Sequence, residues 1–278
     1  MTPLTDNRSQ LGEGAFWHPE RAEFFWFDIT GRTFHGPART WVFTEMCSAA
    51  GWVDRDRLLI ASESRLFVLD LTTGAQAPVC DLPGDYALRS NDGRADRQGG
   101  FWIGTMGKDA EPGAGAIWRF YRGELRRLYS DITIPNAICF APDGRAACFT
   151  DTVTGKVLRV GLDAQGWPVG QPECWLDLRP EGLNPDGAVV DAEGCVWIAQ
   201  WGAGRVAAYA PDGRFLRAVE FPAPHTSCPA FGGADLSDLY CTTAREGRDP
   251  PGPFDGATFC ATGVGRGLPE PRVVLEGA

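Results

Sequence analysis

Short apolar segments alternate with turns rich in Gly, Asp and Pro along the whole chain. Six of the apolar segments share one strand-like pattern, and their centres are Trp26, Leu59, Trp102, Phe149, Trp197 and Tyr240. The centres recur at intervals of 33 to 48 residues, close to the roughly 40–50 residues of one propeller blade. A hairpin turn precedes most centres and another strand follows, which is an antiparallel meander. The pattern predicts an all-β fold, a six-bladed β-propeller of four-stranded antiparallel blades.

The repeat also predicts how the chain is organised. One isolated meander cannot bury both faces of its sheet, whereas blades packed around an axis bury both and leave only short edges. We therefore expect residues 1–278 to form a single six-bladed β-propeller domain. Residues 1–10 are expected to pair with the last blade and close the ring. The Gly- and Pro-rich segment after Arg245 leaves the sixth blade least defined.

A net charge of −10 without a basic run disfavours binding to nucleic acid or to an anionic membrane surface, and favours a small polar ligand or a cation. The nine cysteines include several in apolar strands and form no C-x-x-C pair, so we expect reduced thiols that act as small hydrophobic side chains. The start MTPLTDNRSQ has no apolar segment of signal-peptide length. These features predict a cytoplasmic protein.

Oxygen-bearing side chains recur at one phase of the repeat. The set comprises Glu13, Asn91, Asn136 and Asp186. Asn91 and Asp186 precede their repeat centres by 11 residues and the other two by 13, a difference that we attribute to a longer hairpin. Four of the six blades therefore place such a side chain where the innermost strand begins. Converging carboxylates repel one another unless a cation lies between them. Carboxylate and amide oxygens favour Ca²⁺, Mg²⁺ or Mn²⁺, with Fe²⁺ and Zn²⁺ less favoured.

Other aspartates in the repeat fit a purely structural role. Asp191 follows Asp186 by five residues and belongs to the hairpin DAEG at the opposite end of the same strand. Asp96 and Asp143 occupy similar hairpins. Aspartate in such turns bonds to its own backbone, so we expect all three to shape turns that face solvent.

The stretches that carry these side chains resemble the SMP-30/gluconolactonase/LRE-like family. The matching stretches are LGEGAFW (11–17), RSNDGRADRQGGFWIGTMG (89–107), IPNAICFAPDG (134–144), NPDGAVVDAEGCVWIAQWGAGRV (184–206) and SCPAFGGADLSDLYCTTAR (227–245). They follow the family order over nearly the whole chain. The resemblance implies a six-bladed propeller and metal-dependent hydrolysis of a sugar lactone.

The resemblance also implies roles for individual residues. The ligands of one divalent metal ion would be Glu13, Asn136 and Asp186. Asp186 would in addition be the general acid/base, with the metal acting as Lewis acid on the lactone carbonyl. Arg89, Asn91 and Glu111 would bind the substrate, and Trp201 is a candidate stacking residue at the channel mouth.

Two other functions remain open at the level of sequence. One is a non-catalytic propeller that binds calcium or another metal ion, because one fold hosts many functions. The other is a phosphotriesterase or aryl esterase on the same scaffold, because a Lewis acid also polarises a P=O group. The three histidines are scattered, and the chain has no H-E-x-x-H, no G-x-S-x-G elbow and no P-loop.

Overall fold

The computed structural model describes residues 1–84 and 87–276, in which 23 β-strands form six antiparallel sheets. Blade 1 contains β1 (Gly12–His18), β2 (Glu23–Asp28), β3 (Thr33–His35) and β4 (Thr40–Val42). Blade 2 contains β5 (Cys47–Trp52), β6 (Arg57–Ser62), β7 (Arg65–Asp70) and β8 (Gln76–Asp81). Blade 3 contains β9 (Leu88–Ala95), β10 (Phe101–Gly107), β11 (Gly115–Tyr121) and β12 (Glu124–Ile132).

The second half of the chain continues the same arrangement. Blade 4 contains β13 (Pro135–Phe140), β14 (Ala146–Asp151), β15 (Lys156–Leu162) and β16 (Pro168–Asp177). Blade 5 contains β17 (Asn184–Val190), β18 (Val196–Trp201), β19 (Arg205–Tyr209) and β20 (Phe215–Glu220). Blade 6 contains β21 (Thr226–Gly232), β22 (Asp238–Thr243) and β23 (Phe259–Ala261). Two 3₁₀ turns span Thr152–Thr154 and Arg179–Glu181, and none of the described residues forms a helix long and apolar enough to cross a membrane.

The six sheets surround one axis. The first strands of the blades contact one another in a closed ring, in the order β1, β5, β9, β13, β17, β21 and back to β1. Within each blade the strands follow chain order from the axis outwards. The predicted six-bladed β-propeller is thereby confirmed. That residues 1–278 form a single domain stays a prediction.

The ring closes through the N-terminal segment. Blade 6 has three strands, and Pro3 forms an antiparallel bridge with Phe259 beside its outer strand. The backbone N–H of Leu4 donates to the carbonyl of Thr258 at 2.7 Å. The start of the chain therefore occupies the fourth position of the last blade, as the sequence predicted. Backbone hydrogen bonds hold the N-terminal segment to blade 6.

The core lies between the blades, where the second strands contribute their large apolar side chains. All six predicted repeat centres fall on second strands, and Trp102 and Trp197 are almost completely buried. Burial of one such side chain contributes about 1.5–3 kcal/mol to stability. The aromatic repeat read from the sequence is thus the packing repeat of the folded protein.

Every first strand carries one extra residue relative to the second strand. In blade 1 the register shifts between Glu13 and Phe16, and in blade 4 it shifts between Asn136 and Cys139. The other four blades have the same irregularity. A β-bulge of this kind bends the strand and re-aims side chains. All four oxygen-bearing residues of the predicted ring lie within these bulged segments.

The attribution of the two-residue spacing difference to a longer hairpin is wrong. Trp102 and Trp197 pair with Arg94 and Val189, which lie beyond the bulge and close to the hairpin. Trp26 and Phe149 lie two positions further along their strands, opposite the bulge. The difference therefore arises from which residue of the second strand is the largest aromatic, not from the hairpin.

The C-terminal segment, residues 264–276, crosses the end of the propeller at which the first and second strands are joined. It forms backbone hydrogen bonds with the hairpins of blades 6, 5, 2 and 3, at Leu236, Ser237, Ala192, Trp52 and Gly99. The carboxylate of Glu270 in this segment pairs with the buried guanidinium of Arg94. We call this side the closed end of the propeller and the opposite side the open end.

Two of the three turn aspartates do not face solvent. Asp191 is only 6% exposed, because its carboxylate accepts hydrogen bonds from two backbone N–H groups of its turn and from the indole N–H of Trp197 at 2.8 Å. Asp96 is completely buried and accepts from the guanidinium of Arg119 at 2.6 Å. The predicted turn role is confirmed, but the predicted exposure is wrong for both. Asp143 is exposed, as predicted.

Candidate active site

A cavity of about 410 Å³ opens at the open end of the propeller, on the axis. Five of the six predicted site residues line it, namely Glu13, Arg89, Asn91, Asn136 and Asp186. These residues come from blades 1, 3, 4 and 5, and their side chains are all buried. The structure thus brings together oxygen-bearing side chains that are up to 173 positions apart in the sequence, from Glu13 to Asp186.

The backbone at the bulges fixes where these side chains point. Gly14, directly after Glu13, has a φ of 57°, and a Cβ there would lie 2.2 Å from the carbonyl oxygen of Ser48 in the next blade. Only glycine therefore fits this close approach. Ala137, directly after Asn136, has a φ of 53°, a region that residues with a side chain seldom adopt. Strained backbone of this kind is typical of functional sites.

A chain of hydrogen bonds orients the two amides of the cavity. The guanidinium of Arg89 donates to Oδ1 of Asn91 at 2.7 Å. Nδ2 of Asn91 donates to Oδ1 of Asn136 at 3.0 Å, and Nδ2 of Asn136 donates to the hydroxyl of Thr152 at 2.9 Å. Because both amide N–H₂ groups donate to protein acceptors, the direction of each amide oxygen is fixed. Each of these oxygens accepts one hydrogen bond and has a second lone pair that can bind a ligand in the cavity.

The carboxylates of the cavity have strongly perturbed acidities. Burial, reinforced by the negative charge of Asp92, raises the pKa of Glu13 to about 8. Burial and the nearby charge of Glu13 raise the pKa of Asp186 well above its ordinary value. Neither Glu13 nor Asp186 forms an ion pair with any described residue. Two carboxylates are therefore buried in one cavity without an ion pair to the described chain, and the nearby charge of Arg89 lowers the pKa of both without offsetting the effect of burial.

This donor set fits a divalent cation. Among the described residues, no group of three or more His, Cys, Asp and Glu side chains is arranged to hold a metal ion, so a third protein donor must be of another type. The oriented amide oxygen of Asn136, on the wall of the same cavity as Glu13 and Asp186, is an available donor of this other type. Two carboxylates and one carbonyl-type oxygen suit hard cations, and the two buried negative charges would be neutralised by one divalent ion.

Glu111 is the predicted site residue that does not line the cavity. It is exposed, and its carboxylate accepts a hydrogen bond from the backbone N–H of Asp109 at 3.2 Å, within its own loop. The cavity wall instead includes Lys108 and Asp109, which directly follow β10. Lys108 is paired with Glu63 of blade 2 at 2.5 Å. The role of Glu111 in substrate binding stays a prediction, and the structure places a different acidic residue of this loop at the cavity.

Two further residues of the wall come from blades 5 and 6. Trp201 lines the cavity, as its position after a strand suggested, and it stacks on the ring of His225 with a centroid distance of 4.2 Å and an interplanar angle of 17°. The carbonyl of Glu246 bonds with Nδ1 of His225 at 2.9 Å, and Glu246 itself lines the cavity. No sequence pattern marks Glu246, because a backbone bond from its N–H to Gln10 places it there.

A larger cavity, of about 590 Å³, lies on the outer part of blade 4. Arg159, Glu173 and Trp175 are on its wall, and none of the predicted site residues is. Volume alone does not identify an active site, since converging polar groups with perturbed pKa values are the stronger signal. The axial cavity has these groups, and we therefore place the candidate active site there.

Comparison with known proteins finds relatives that match most of the chain. The SMP-30/Gluconolactonase/LRE-like region matches residues 11–245. A protein of Rhizobium meliloti (strain 1021) named "Putative sugar lactone lactonase" is 42% identical over 92% of this chain and 91% of its own length. The L-arabinolactonase of Azospirillum brasilense is 32% identical over 88% and 85%.

The fold has a close counterpart among solved structures. The crystal structure of a calcium-binding protein, regucalcin, from Agrobacterium tumefaciens strain C58 superposes with a TM-score of 0.94 at 38% identity, covering 98% of this chain and 96% of the other. Both the sequence match and the structural match extend over the blades that line the axial cavity. The chain belongs to the SMP-30/gluconolactonase/LRE-like family.

Proposed function

We propose that this protein hydrolyses a sugar lactone to the corresponding aldonic acid, with one divalent cation bound in the axial cavity. The observation that carries the proposal is the meeting of two buried, unpaired carboxylates and an oriented amide in one cavity, beside hydrogen-bonding groups suited to a polyol. Two relatives that match this chain over most of their length have names that specify lactone hydrolysis, and they support the same reaction.

Glu13, Asn136 and Asp186 would hold the cation, and their oxygens suit Ca²⁺, Mg²⁺ or Mn²⁺ better than Zn²⁺ or Fe²⁺. The name of the regucalcin structure supports calcium as a first candidate. When bound, a divalent cation supplies a Lewis acid that polarises the lactone carbonyl. The protein provides the position, since the hydrogen bond from Asn136 to Thr152 keeps the amide oxygen directed to the cavity.

Asp186 is the residue that we assign to proton transfer. A lactone is a cyclic ester, so its hydrolysis needs a proton removed from the attacking water and a proton delivered to the ring oxygen as the C–O bond breaks. Burial and the charge of Glu13 raise the pKa of Asp186 in the metal-free fold, and its carboxylate lies on the wall of the axial cavity, where it can accept a proton from water. The same carboxyl can take the proton from water and then release it to the leaving alkoxide oxygen.

The remaining wall residues would orient the substrate. Arg89 and Asn91 present a donor and an amide to sugar hydroxyls, and Asp109 adds an acceptor at the mouth. Trp201, fixed by its stacking on His225, offers a flat apolar surface to one face of a sugar ring. A wall with polar groups on one side and an aromatic ring on another favours a polyol lactone over an apolar aryl ester or phosphotriester.

The experiment is an acid-release assay with a pH indicator, run on chelated protein with each divalent ion added back. The panel contains xylono-, arabino-, galactono- and gluconolactone, together with an aryl ester and a phosphotriester. We expect metal-dependent hydrolysis of at least one aldonolactone. Metal binding without hydrolysis of any substrate would favour the non-catalytic propeller, and faster hydrolysis of the aryl ester or phosphotriester would favour the other esterase class.

A further inference from the structure

Blade 4 carries two cysteines that face each other across neighbouring strands, on the side of the blade away from the axial cavity's mouth. Cys139 on β13 is the register partner of Cys148 on β14, and both side chains are buried. In antiparallel strands, directly opposed residues project from the same face. In the described strands, no other register pair brings two cysteines opposite each other.

The backbone spacing of this pair suits a disulfide. The N–H of Ala141 donates to the carbonyl of Ala146 at 2.9 Å where the hairpin closes. Cys139 and Cys148 lie two positions further from the turn, so they occupy the same hydrogen-bonded type of pair, with a Cα separation of about 5.5 Å. Disulfides most often span a Cα separation of about 5.5–6 Å. The Cα separation of this pair therefore falls within the range that a disulfide spans.

A route from the surface leads to the pair. A small cavity of about 20 Å³ is lined by both Cys139 and Cys148, which is room for a molecule of about the size of water. Its wall shares Ala146, Arg159 and Trp175 with the open groove of about 590 Å³ on the outer part of the blade. The cavity at the thiols and the open groove thus share these three residues as a common wall.

The surroundings distinguish the two thiols. Arg159 is the register partner of Cys148 on the next strand, and its guanidinium is fixed by a hydrogen bond to the carbonyl of Pro211 at 3.1 Å. The hydrogen bond with the Cys139 thiol and, to a smaller extent, the positive charge of Arg159 lower the pKa of Cys148. The hydrogen bond with Cys148, followed by burial, raises the pKa of Cys139. Because the guanidinium-bearing Arg159 is opposite Cys148 and not Cys139, Cys148 is the better nucleophile, and Cys139 is placed to react with the product that forms on Cys148.

We propose that Cys139 and Cys148 form a reversible oxidation site that a small hydroperoxide converts to a disulfide, a property separate from lactone hydrolysis. The Cys148 thiolate attacks the peroxide, so that an S–O bond forms and the O–O bond breaks, and the leaving oxygen takes up the proton that the Cys148 thiol released and departs as alcohol or water. The Cys139 thiol then attacks the sulfenic sulfur, the S–S bond forms, and hydroxide leaves with the thiol proton as water. The hydroperoxide is the oxidant, and two thiols are the reductant.

The test treats the folded, unmutated protein with hydrogen peroxide, alkylates the remaining thiols after unfolding, and maps the peptides by mass spectrometry without reduction. We expect one cross-link that joins Cys139 to Cys148 and disappears on reduction with dithiothreitol. Cys195, equally buried but without an opposed cysteine, is the matched control and stays reduced. Cys174, which is exposed, reports that the oxidant was active.

The cysteine variant Cys139→Ala sharpens the result. Without its partner, Cys148 stops at the sulfenic acid, which dimedone added together with the denaturant traps, whereas the unmutated protein gives no dimedone adduct at this position. The proposal is overturned if Cys174 is oxidised while Cys139 and Cys148 both remain free for alkylation. It is also overturned if Cys195 joins the cross-links at the same rate, because that result means that unfolding exposed the thiols.

Discussion

Buried charged side chains form ion pairs at the closed end of the propeller, whereas the buried carboxylates Glu13 and Asp186 at the open end form none within the described part of the chain. At the closed end, Arg119 is paired with Asp96 and Arg94 with Glu270, and all four side chains are buried or nearly so. At the open end, Glu13 and Asp186 are equally buried, yet no described basic side chain forms an ion pair with them. The strands that connect the two ends are the same, so the difference lies in the side chains and not in the fold.

The difference separates stability from function. A buried ion pair is satisfied within the protein, and removing one partner leaves an uncompensated charge that destabilises the fold. Burial, reinforced by the charge of Asp92, raises the pKa of both open-end carboxylates, and their ionisation weakens the fold of the metal-free chain. A protein tolerates this loss of stability where a bound cation supplies the missing positive charge. The comparison therefore assigns chemistry to the open end and structural support to the closed end.

The largest effect is expected from Asp186→Asn at the open end. The amide has nearly the shape of the carboxyl but cannot accept a proton from water, so kcat/KM should fall by about a thousandfold. The variant without metal should unfold at an equal or higher urea concentration, because one buried carboxylate has been removed. Retention of more than about half of the activity would refute the assignment of Asp186 as the base.

The mirror experiment is Asp96→Ala at the closed end. It leaves the guanidinium of Arg119 buried without its carboxylate, and we expect a loss of about 3–5 kcal/mol in the free energy of unfolding, measured by urea denaturation. The activity of the molecules that remain folded should stay within about twofold. Asp143→Ala, in the equivalent but exposed hairpin of blade 4, is the matched control and should change stability by only about 0.5 kcal/mol. An equal loss in both variants would contradict the comparison.

A third effect concerns pH. Because the pKa of Glu13 is raised to about 8 in the metal-free fold, a cation must displace a proton below that pH. Affinity for Ca²⁺, measured by titration calorimetry, should rise about tenfold per pH unit for each proton released between pH 6 and pH 8.

The raised pKa of Glu13 has the opposite effect on the metal-free protein, whose stability falls as pH rises. The folded-state pKa of Glu13, about 8, lies above the ordinary glutamate value of 4.5, so the folded state holds more protons between these two pH values. Stability of the chelated protein should therefore fall as pH rises from about 4.5 to about 8. Glu13→Gln should flatten both profiles. A Ca²⁺ affinity that is independent of pH in the unmutated protein would contradict the account.

The smallest effect is expected at the aromatic wall. Trp201→Ala removes the flat surface that stacks on His225 at the cavity, and we expect KM to rise about three- to tenfold with a smaller change in kcat. Trp118→Ala is the comparison, because this half-buried tryptophan on β11 is not on the cavity wall. A fall in kcat larger than the rise in KM would mean that Trp201 acts on the chemistry and not on binding.

The blade number and the ring of oxygen donors were predictable from the sequence because both repeat with the blade. Trp102 and Trp197 repeat because every blade must pack on its neighbours, and Asn91 and Asp186 repeat because first strands share one geometry. Periodicity could not find Glu246, which reaches the cavity through a contact outside the repeat.

Local patterns gave the wrong environment for other residues. The turn of Asp191 was correctly predicted, but its burial depends on the indole of Trp197 and on the C-terminal segment that crosses this end, and neither is visible in the turn itself. Glu111 and Asp109 lie in the same short loop, and only the path of that loop decides which of them lines the cavity.

The central claim is that one cation lies between Glu13, Asn136 and Asp186, and anomalous diffraction from crystals grown with Ca²⁺ tests it directly. The account predicts a single peak in the axial cavity, with one oxygen of each of these three side chains about 2.3–2.6 Å away. No peak in the cavity, or one held by other residues while these three oxygens point elsewhere, would contradict it.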